Sequence, residues 1–231
     1  MKKTALVCII AAMVFALLSV TAFAEDPESD PVARVGEKSY TSLYDALKAA
    51  INLDEFNGKP VDAENLVVVE VLQDTTLEKT VSRGFYDPAD WFIKLTSAGD
   101  ERYTVTRGEN LTGSLIQLDR NSNGVLVLEN IVLDGGATSD SQPTDSILLT
   151  YGTVYLNNGA VLQNNNSKYE GGAINHQGGT LIMNDGAIIQ NNVSSSTGGG
   201  VSCYGLFQMN GGLITENRST GNSTYGGGVS V

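Results

Sequence analysis

The sequence predicts an all-β fold of the parallel β-helix kind, a solenoid with coils of about 26–28 residues. Three observations carry that expectation. Three segments are near copies: Gly152-Thr-Val-Tyr-Leu-Asn-Asn-Gly-Ala-Val-Leu-Gln-Asn164, Gly179-Thr-Leu-Ile-Met-Asn-Asp-Gly-Ala-Ile-Ile-Gln-Asn191 and Gly205-Leu-Phe-Gln-Met-Asn-Gly-Gly-Leu-Ile-Thr-Glu-Asn217; their glycines Gly159, Gly186 and Gly212 lie 27 and 26 residues apart. A second marker, Gly171-Gly-Ala-Ile174, Gly198-Gly-Gly-Val201 and Gly226-Gly-Gly-Val229, steps by 27 and 28. Within each copy the side chains sort by period two. Val154 and Leu156, Leu181 and Met183, Phe207 and Met209 are expected inward, and Tyr155, Ile182 and Gln208 outward.

From the N-terminus, residues 1–24 read as a secretory signal peptide: Lys2 and Lys3, the apolar run from Ala5 to Val20, then Ala22-Phe-Ala24. Residues 25–33 are acidic, carry prolines and read as a disordered lead-in. Residues 34–65 form an N-terminal hairpin and a short capping helix. Val32–Val35 and Ser39-Tyr40 flank Gly36-Glu-Lys as a hairpin. Leu43, Ala46, Leu47, Ala50 and Ile51 then fall on one helical stripe, with Ser42 and Asp45 as an N-terminal capping pair. Such a stripe suits a lid over the open end of a stacked core. Asn52–Glu64 reads as a polar loop.

Residues 66–231 form the β-helix. Strands are expected over Leu66–Leu72, Thr75–Val81, Trp91–Leu95, Tyr103–Thr106, Leu115–Leu118 and Val125–Leu133. Leu128 precedes Leu156 by 28 residues and Leu156 precedes Met183 by 27, so the repeat begins in degenerate form before the clean copies. Val161, Ile188 and Ile214 are expected as the next inward position, and Ile174, Val201 and Val229 as the third. Asn157, Asn184 and Asn210 form one expected structural column, and Asn164, Asn191 and Asn217 another. Asparagine tolerates the left-handed backbone of sharp turns, and its amide can bond to the same amide one coil away.

The pattern Gly-Gly-Ala-Ile…Gly-Thr-Leu-Ile-Met-Asn-Asp-Gly-Ala-Ile-Ile-Gln-Asn-Asn resembles the right-handed parallel β-helix repeats of the pectate-lyase-like superfamily. Three further segments resemble large surface proteins of Gram-positive gut and oral bacteria. They are Val35-Gly-Glu-Lys-Ser-Tyr-Thr-Ser-Leu-Tyr-Asp-Ala-Leu-Lys-Ala-Ala50, Ile93-Lys-Leu-Thr-Ser-Ala-Gly-Asp-Glu-Arg-Tyr-Thr-Val-Thr-Arg107 and Leu128-Glu-Asn-Ile-Val-Leu-Asp-Gly-Gly136. The resemblance implies the right-handed coil and a secreted or cell-surface location. Because this fold hosts enzymes and adhesins alike, it does not by itself imply an activity.

Composition narrows the partners. The chain carries a formal net charge of −12. Cleavage after Ala24 removes Lys2 and Lys3, leaving 12 basic against 26 acidic side chains, a net −14. Nucleic acid is a poor partner for such a surface. No second apolar stretch is long enough to span a bilayer, so membrane insertion is not expected. Cys203 is the single cysteine beyond the signal peptide, so no internal disulfide is available.

Chemistry is sparse. The resemblance implies, for a lyase, acidic calcium ligands with a basic residue, and for a hydrolase, several Asp on adjacent coils. Here Asp185 aligns with Asn158 and Gly211, and Glu216 with Gln163 and Gln190, each without a second carboxylate. Asp134 and Asp145 fall in irregular turns, and Lys168 and Arg218 are the only basic residues beyond position 120. Paired carboxylates and a positioned base are what glycoside chemistry requires, so no catalytic residue is assigned. His176 lies one coil before Cys203, in a column continued by Leu149 and Val231. Two such ligands make no metal site, and no cofactor is expected. Of the outward tyrosines Tyr151, Tyr155, Tyr169, Tyr204 and Tyr225, the candidate ligand contacts are Tyr155, Tyr169, Tyr204 and Tyr225.

The expected function is a secreted or cell-surface, adhesin-like, non-catalytic module presenting turns and tyrosines to carbohydrate or a host surface. The alternatives are a polysaccharide-active lyase or hydrolase and a self-associating structural protein. Three or more charged residues on one face of the folded coils would favour the enzyme. The final Gly226-Gly-Gly-Val-Ser-Val231 ends part-way into a coil. That is read as the truncated N-terminal part of a longer protein, or as an edge for end-to-end self-association.

Overall fold

Short runs of β-branched residues and leucine, punctuated by Gly and Asn, become the successive strands of a β-solenoid of about five coils. The computed structural model describes residues 30–83, 90–120, 123–138, 144–221 and 225–231. The expected signal peptide and most of the lead-in lie outside the described residues. Ala33 already belongs to a strand and is fully buried, so the ordered fold begins inside the stretch read as lead-in.

Strands Ala33–Val35 and Lys38–Tyr40 pair antiparallel, as the Gly36 turn requires. The first of them then joins Val67–Val71, also antiparallel. From there the first sheet is parallel through Phe92–Ser97, Val125–Glu129, Thr153–Leu156, Thr180–Met183 and Leu206–Met209. A second sheet stacks Thr75–Leu77, Thr104–Arg107, Ile131–Asp134, Ala160–Gln163, Ile188–Gln190 and Leu213–Thr215. A third stacks Ile116–Gln117, Leu148–Thr150, Ile174–His176, Val201–Cys203 and Val229–Ser230. The later coils add a fourth short strand that the sequence reading missed: Asn166–Ser167, Val193–Ser194 and Arg218–Ser219.

The helix Leu43–Ala50 forms as the apolar stripe predicts, with the Ser42 side chain accepting from the Asp45 amide at 3.3 Å. Leu43, Ala46, Leu47, Ala50 and Ile51 are buried. The polar loop after it is more ordered than expected. It folds Glu55–Phe56 onto Lys59–Pro60 around Asn57 and Gly58, whose φ values of 54° and 73° suit a two-residue hairpin turn.

Inside the coils, Val154, Leu156, Leu181, Met183, Ile174 and Val201 are fully buried, as alternation predicts. Stacked apolar columns of this kind supply the burial that one repeat alone cannot. The outermost coil differs: Leu206, Met209 and Leu213 are exposed, and Phe207 and Val229 are partly buried.

The second sheet corrects the expected columns. Ile188 pairs with Leu213 and Ile189 with Ile214, so Ile214 does not follow Ile188. The inward column is Leu162, Ile189 and Ile214, the first two fully buried, whereas Ile188 is only partly buried. The cause is a turn one residue shorter: four residues, Asn184–Ala187, connect the strands in one coil and three, Asn210–Gly212, in the next. The alignment then slips by one until the third sheet, where Val201 pairs with Val229 as expected. Glu216 therefore follows Asn164 and Asn191, all three at φ 54°, and not Gln163 and Gln190. Asn217 instead joins the buried pair Asn165 and Asn192.

Glutamate has no local means of relieving a left-handed backbone, which asparagine tolerates better. Glu216→Asn is thus expected to stabilise the protein by about 1 kcal/mol, raising the melting midpoint by about 2–4 °C. Calorimetry of the variant checks this, and an unchanged or lowered midpoint would refute the shifted register.

Candidate carbohydrate-contact face

Parallel stacking turns sequence columns into side-chain ladders. Asn184 Nδ2 donates to Asn157 Oδ1 and Asn210 Nδ2 to Asn184 Oδ1, each at 2.8 Å, as expected for this column. The ladder ends where Asn157 Nδ2 donates to Glu129 at 3.3 Å. The Lys94 ammonium, hydrogen-bonded to Glu129, holds that carboxyl below its ordinary range despite partial burial. A second ladder, Gln190 to Gln163 at 2.9 Å, ends on Asp134 at 2.8 Å. These ladders tie up the outer turn polar groups structurally.

The expected tyrosine contacts separate into two groups. Tyr155 stands on the outer face of the first sheet between Val127 and Ile182, apart from the others. Tyr151 lies under the Arg120 guanidinium, 5.6 Å from its ring centroid. Tyr169 and Tyr204 are 58% and 63% exposed and both border the outer face of the third sheet. Tyr225 is exposed, and its carbonyl accepts from the Gly198 amide at 3.0 Å, which sets it one coil beyond Thr197 in the turn that enters this sheet.

This face holds a recess of about 350 Å3 lined by Lys168, Tyr169, Glu170, Asn175 and Ser196. A smaller one of about 140 Å3 adjoins it through Tyr169 and Asn175 and reaches Ser114, Asp145 and Leu149. Tyr204 Oη lies 2.9 Å from both carboxylate oxygens of Glu170. The Glu170 carboxylate, by accepting a hydrogen bond from the phenol, pushes the Tyr204 hydroxyl above its ordinary pKa. Lys168 Nζ sits 3.1 Å from Asp145 and 5.2 Å from the Tyr169 ring centroid. Asp145, Lys168 and Glu170 therefore lie along one face, a grouping the sequence reading did not assemble. Asp134 and Asp145 have different partners: Gln163 and Asn164 bind the first, Lys168 the second. Among the described residues no three His, Cys, Asp or Glu side chains stand within reach of one metal ion.

His176 and Cys203 stack as expected, but the column continues with Thr150 and not Leu149, and all three side chains are buried. Thr150 Oγ1 and His176 Nδ1 are 2.7 Å apart, while Nε2 has no hydrogen bond of normal geometry. Burial lowers the His176 pKa, offset in part by the nearby Gly179 backbone, and burial raises the Cys203 thiol. The unfolded chain thus binds a proton near pH 6.5 that the fold resists. Stability is expected to be fully present above that pH and to fall as the solution is acidified through it. Denaturation midpoints across pH 7.5 to 5.5 should drop less in His176→Gln than in the parent, and parallel curves would contradict the assignment.

A further cavity of about 490 Å3 is lined by Thr106, Arg107, Glu109, Thr112, Ala137 and Thr144, among others. No site is assigned to it. No described helix is long and apolar enough to cross a membrane. In comparison with known proteins, no family model, curated protein or solved structure matches this chain.

Proposed function

We propose that the chain is a secreted or cell-surface, non-catalytic β-helix module of adhesin type that contacts carbohydrate through the outer face of its third sheet. The observation that carries this reading is a recess lined by Lys168, Tyr169, Glu170, Asn175 and Ser196, with the exposed Tyr204 hydroxyl 2.9 Å from the Glu170 carboxylate. Exposed phenol rings offer flat apolar area to sugar C–H faces, and the amide, hydroxyl and carboxylate groups offer partners for sugar hydroxyls. The finer assignment follows the coil pattern: a right-handed, pectate-lyase-like helix, with Leu43–Ala50 as its N-terminal cap. Right-handed crossovers are the rule for parallel strands of one sheet, which supports that hand.

A glycan array probed with the purified protein tests the function. Tyr169→Ala and Tyr204→Ala are each expected to weaken the positive signals about tenfold, since one lost aromatic contact is worth about 1 kcal/mol or more. Tyr155→Ala should leave them unchanged. Binding insensitive to Tyr169 and Tyr204 would overturn the assignment of the face.

Two other readings rest on specific observations. Asp145, Lys168 and Glu170 on one face favour polysaccharide cleavage, and release of reducing ends or unsaturated sugars in the same samples would install that reading instead. Exposed Leu206, Met209 and Leu213 at the outermost strands favour self-association through strand edges. A concentration-dependent mass in solution, abolished by Leu213→Lys, would establish it.

A further inference from the structure

Two carboxylates on this face, Asp145 and Glu170, each lie near a tyrosine, the first linked to it through an ammonium and the second by a direct hydrogen bond with no ammonium among the described residues. In the first, the Lys168 ammonium lies between Asp145, at 3.1 Å, and the Tyr169 ring, at 5.2 Å from its centroid. In the second, Glu170 meets Tyr204 at 2.9 Å from each carboxylate oxygen, and among the described residues no ammonium or guanidinium pairs with Glu170. A phenol carries one proton and satisfies one oxygen at a time. The other oxygen keeps its lone pairs beside an open recess. The first pair shows what completes such a site: a primary ammonium, donating to the carboxylate and resting against the ring.

We propose that the Glu170–Tyr204 pair binds the primary ammonium of an unacetylated amino sugar within a glycan, an inference that rests on the carbohydrate-contact reading above. An ammonium brings three N–H donors, and its bond to a carboxylate is charge-assisted. The recess of about 350 Å3 has room for a sugar ring beside Tyr169, with Asn175 and Ser196 placed to meet its hydroxyls. Charge selects the same class. Asp145 and Glu170 outnumber Lys168 here, on a chain of net charge −12, so a uronate polymer is repelled and an aminated one attracted. A lysine side chain carries the same ammonium but lacks the hydroxyls that Asn175 and Ser196 would meet.

The test is titration calorimetry of the whole protein with four probes: a glucosamine tetramer, the N-acetylglucosamine tetramer, polygalacturonate and a lysine tetrapeptide. The glucosamine tetramer is expected to bind at least tenfold more tightly than each of the others. Glu170→Gln should erase that preference, and Tyr204→Phe should weaken glucosamine binding while keeping the ring. Neither side chain is buried, so both variants should retain the parent melting midpoint. Equal binding of acetylated and unacetylated tetramers, or an unchanged Glu170→Gln titration, would overturn the ammonium site while leaving the carbohydrate face standing. A tetrapeptide that matches the glucosamine tetramer would overturn the sugar as the ligand. Failure of every glycan, here and on the array, would overturn both.

Discussion

Arg107→Met is expected to destabilise the protein by about 3–5 kcal/mol, the largest effect of any single change considered. Arg107 is 7% exposed, and its guanidinium donates to the carbonyls of Leu111, Gly113, Asp145 and Ser146 and to Asn165 Oδ1. Burial lowers its pKa to about 10 against the opposing pull of Asp145, so it stays protonated at neutral pH. Methionine fills similar volume but leaves these acceptors without a donor, and each buried orphan costs about 1–3 kcal/mol. Arg107→Lys keeps the charge yet lacks the fork that reaches separate acceptors, so it should fall between the two. Urea denaturation at neutral pH measures both. A loss below about 1 kcal/mol for Arg107→Met would show that the bonds are replaced by water at little cost.

The position of Arg107 explains why it matters. It reaches Asn165, 58 residues away and two coils on. The intervening coil offers Gly135 and Gly136, and a Cβ on Gly135 would approach the Asn165 side chain to 2.5 Å. The absent Cβ leaves the space that the Asn165 side chain occupies as it meets the arginine. Its charge also suits the ladder it ends. In the buried ladder the backbone N–H of Asn165 donates to Asn192 Oδ1 and that of Asn192 to Asn217 Oδ1, so an acceptor, Asn165 Oδ1, is left at the N-terminal end. Arg107 supplies a charged donor, beside the Thr144 hydroxyl. The outer ladders run with the opposite polarity and leave the donors Asn157 Nδ2 and Gln163 Nε2, which end on the carboxylates Glu129 and Asp134. Each ladder stops on a charge of the sign its free end requires.

Asn192→Leu is the second large effect, expected at about 3 kcal/mol or more. Asn192 is fully buried. Its amide donates to the carbonyls of Leu162 and Gln190 and to Asn217 Oδ1, and its oxygen accepts from the Asn165 amide. Leucine would strand the two carbonyls and the Asn165 N–H together. The neighbouring Asn191→Leu should cost only about 1 kcal/mol, because Asn191 is exposed and contributes chiefly a tolerated φ of 54°. Measuring both by chemical denaturation turns the one-residue correction of register into a ratio, and equal losses would refute it.

The chain's period, its parallel stacking, its inward residues in the first and third sheets and the Asn157 ladder were all legible, because each follows from a spacing repeated in one linear order. The short helix was equally legible, since its stripe and its Ser42 cap are local. The register of the second sheet was not. A turn lacking one residue leaves the Asn-Gly pattern almost unaltered, and only the pairing of Ile188 with Leu213 shows on which side of the turn the deletion fell. That slip exchanged an exposed asparagine column for a buried one.

The candidate face shows the same division. Tyr169, Tyr204 and Tyr225 were identifiable as outward residues from the repeat alone. Their separation from Tyr155, and the meeting of Tyr204 with Glu170, 34 residues apart, depend on how far one coil's side chains reach over the next. Arg107 gave no signal in the sequence, where it reads as the polar end of a strand. The sequence by itself determined that this protein is a stack of coils with a repeated apolar interior, because burial by stacking is enforced by periodic composition. Only the tertiary structure decided which polar groups meet between coils, because those contacts depend on turn lengths and on missing side chains, neither of which a period records.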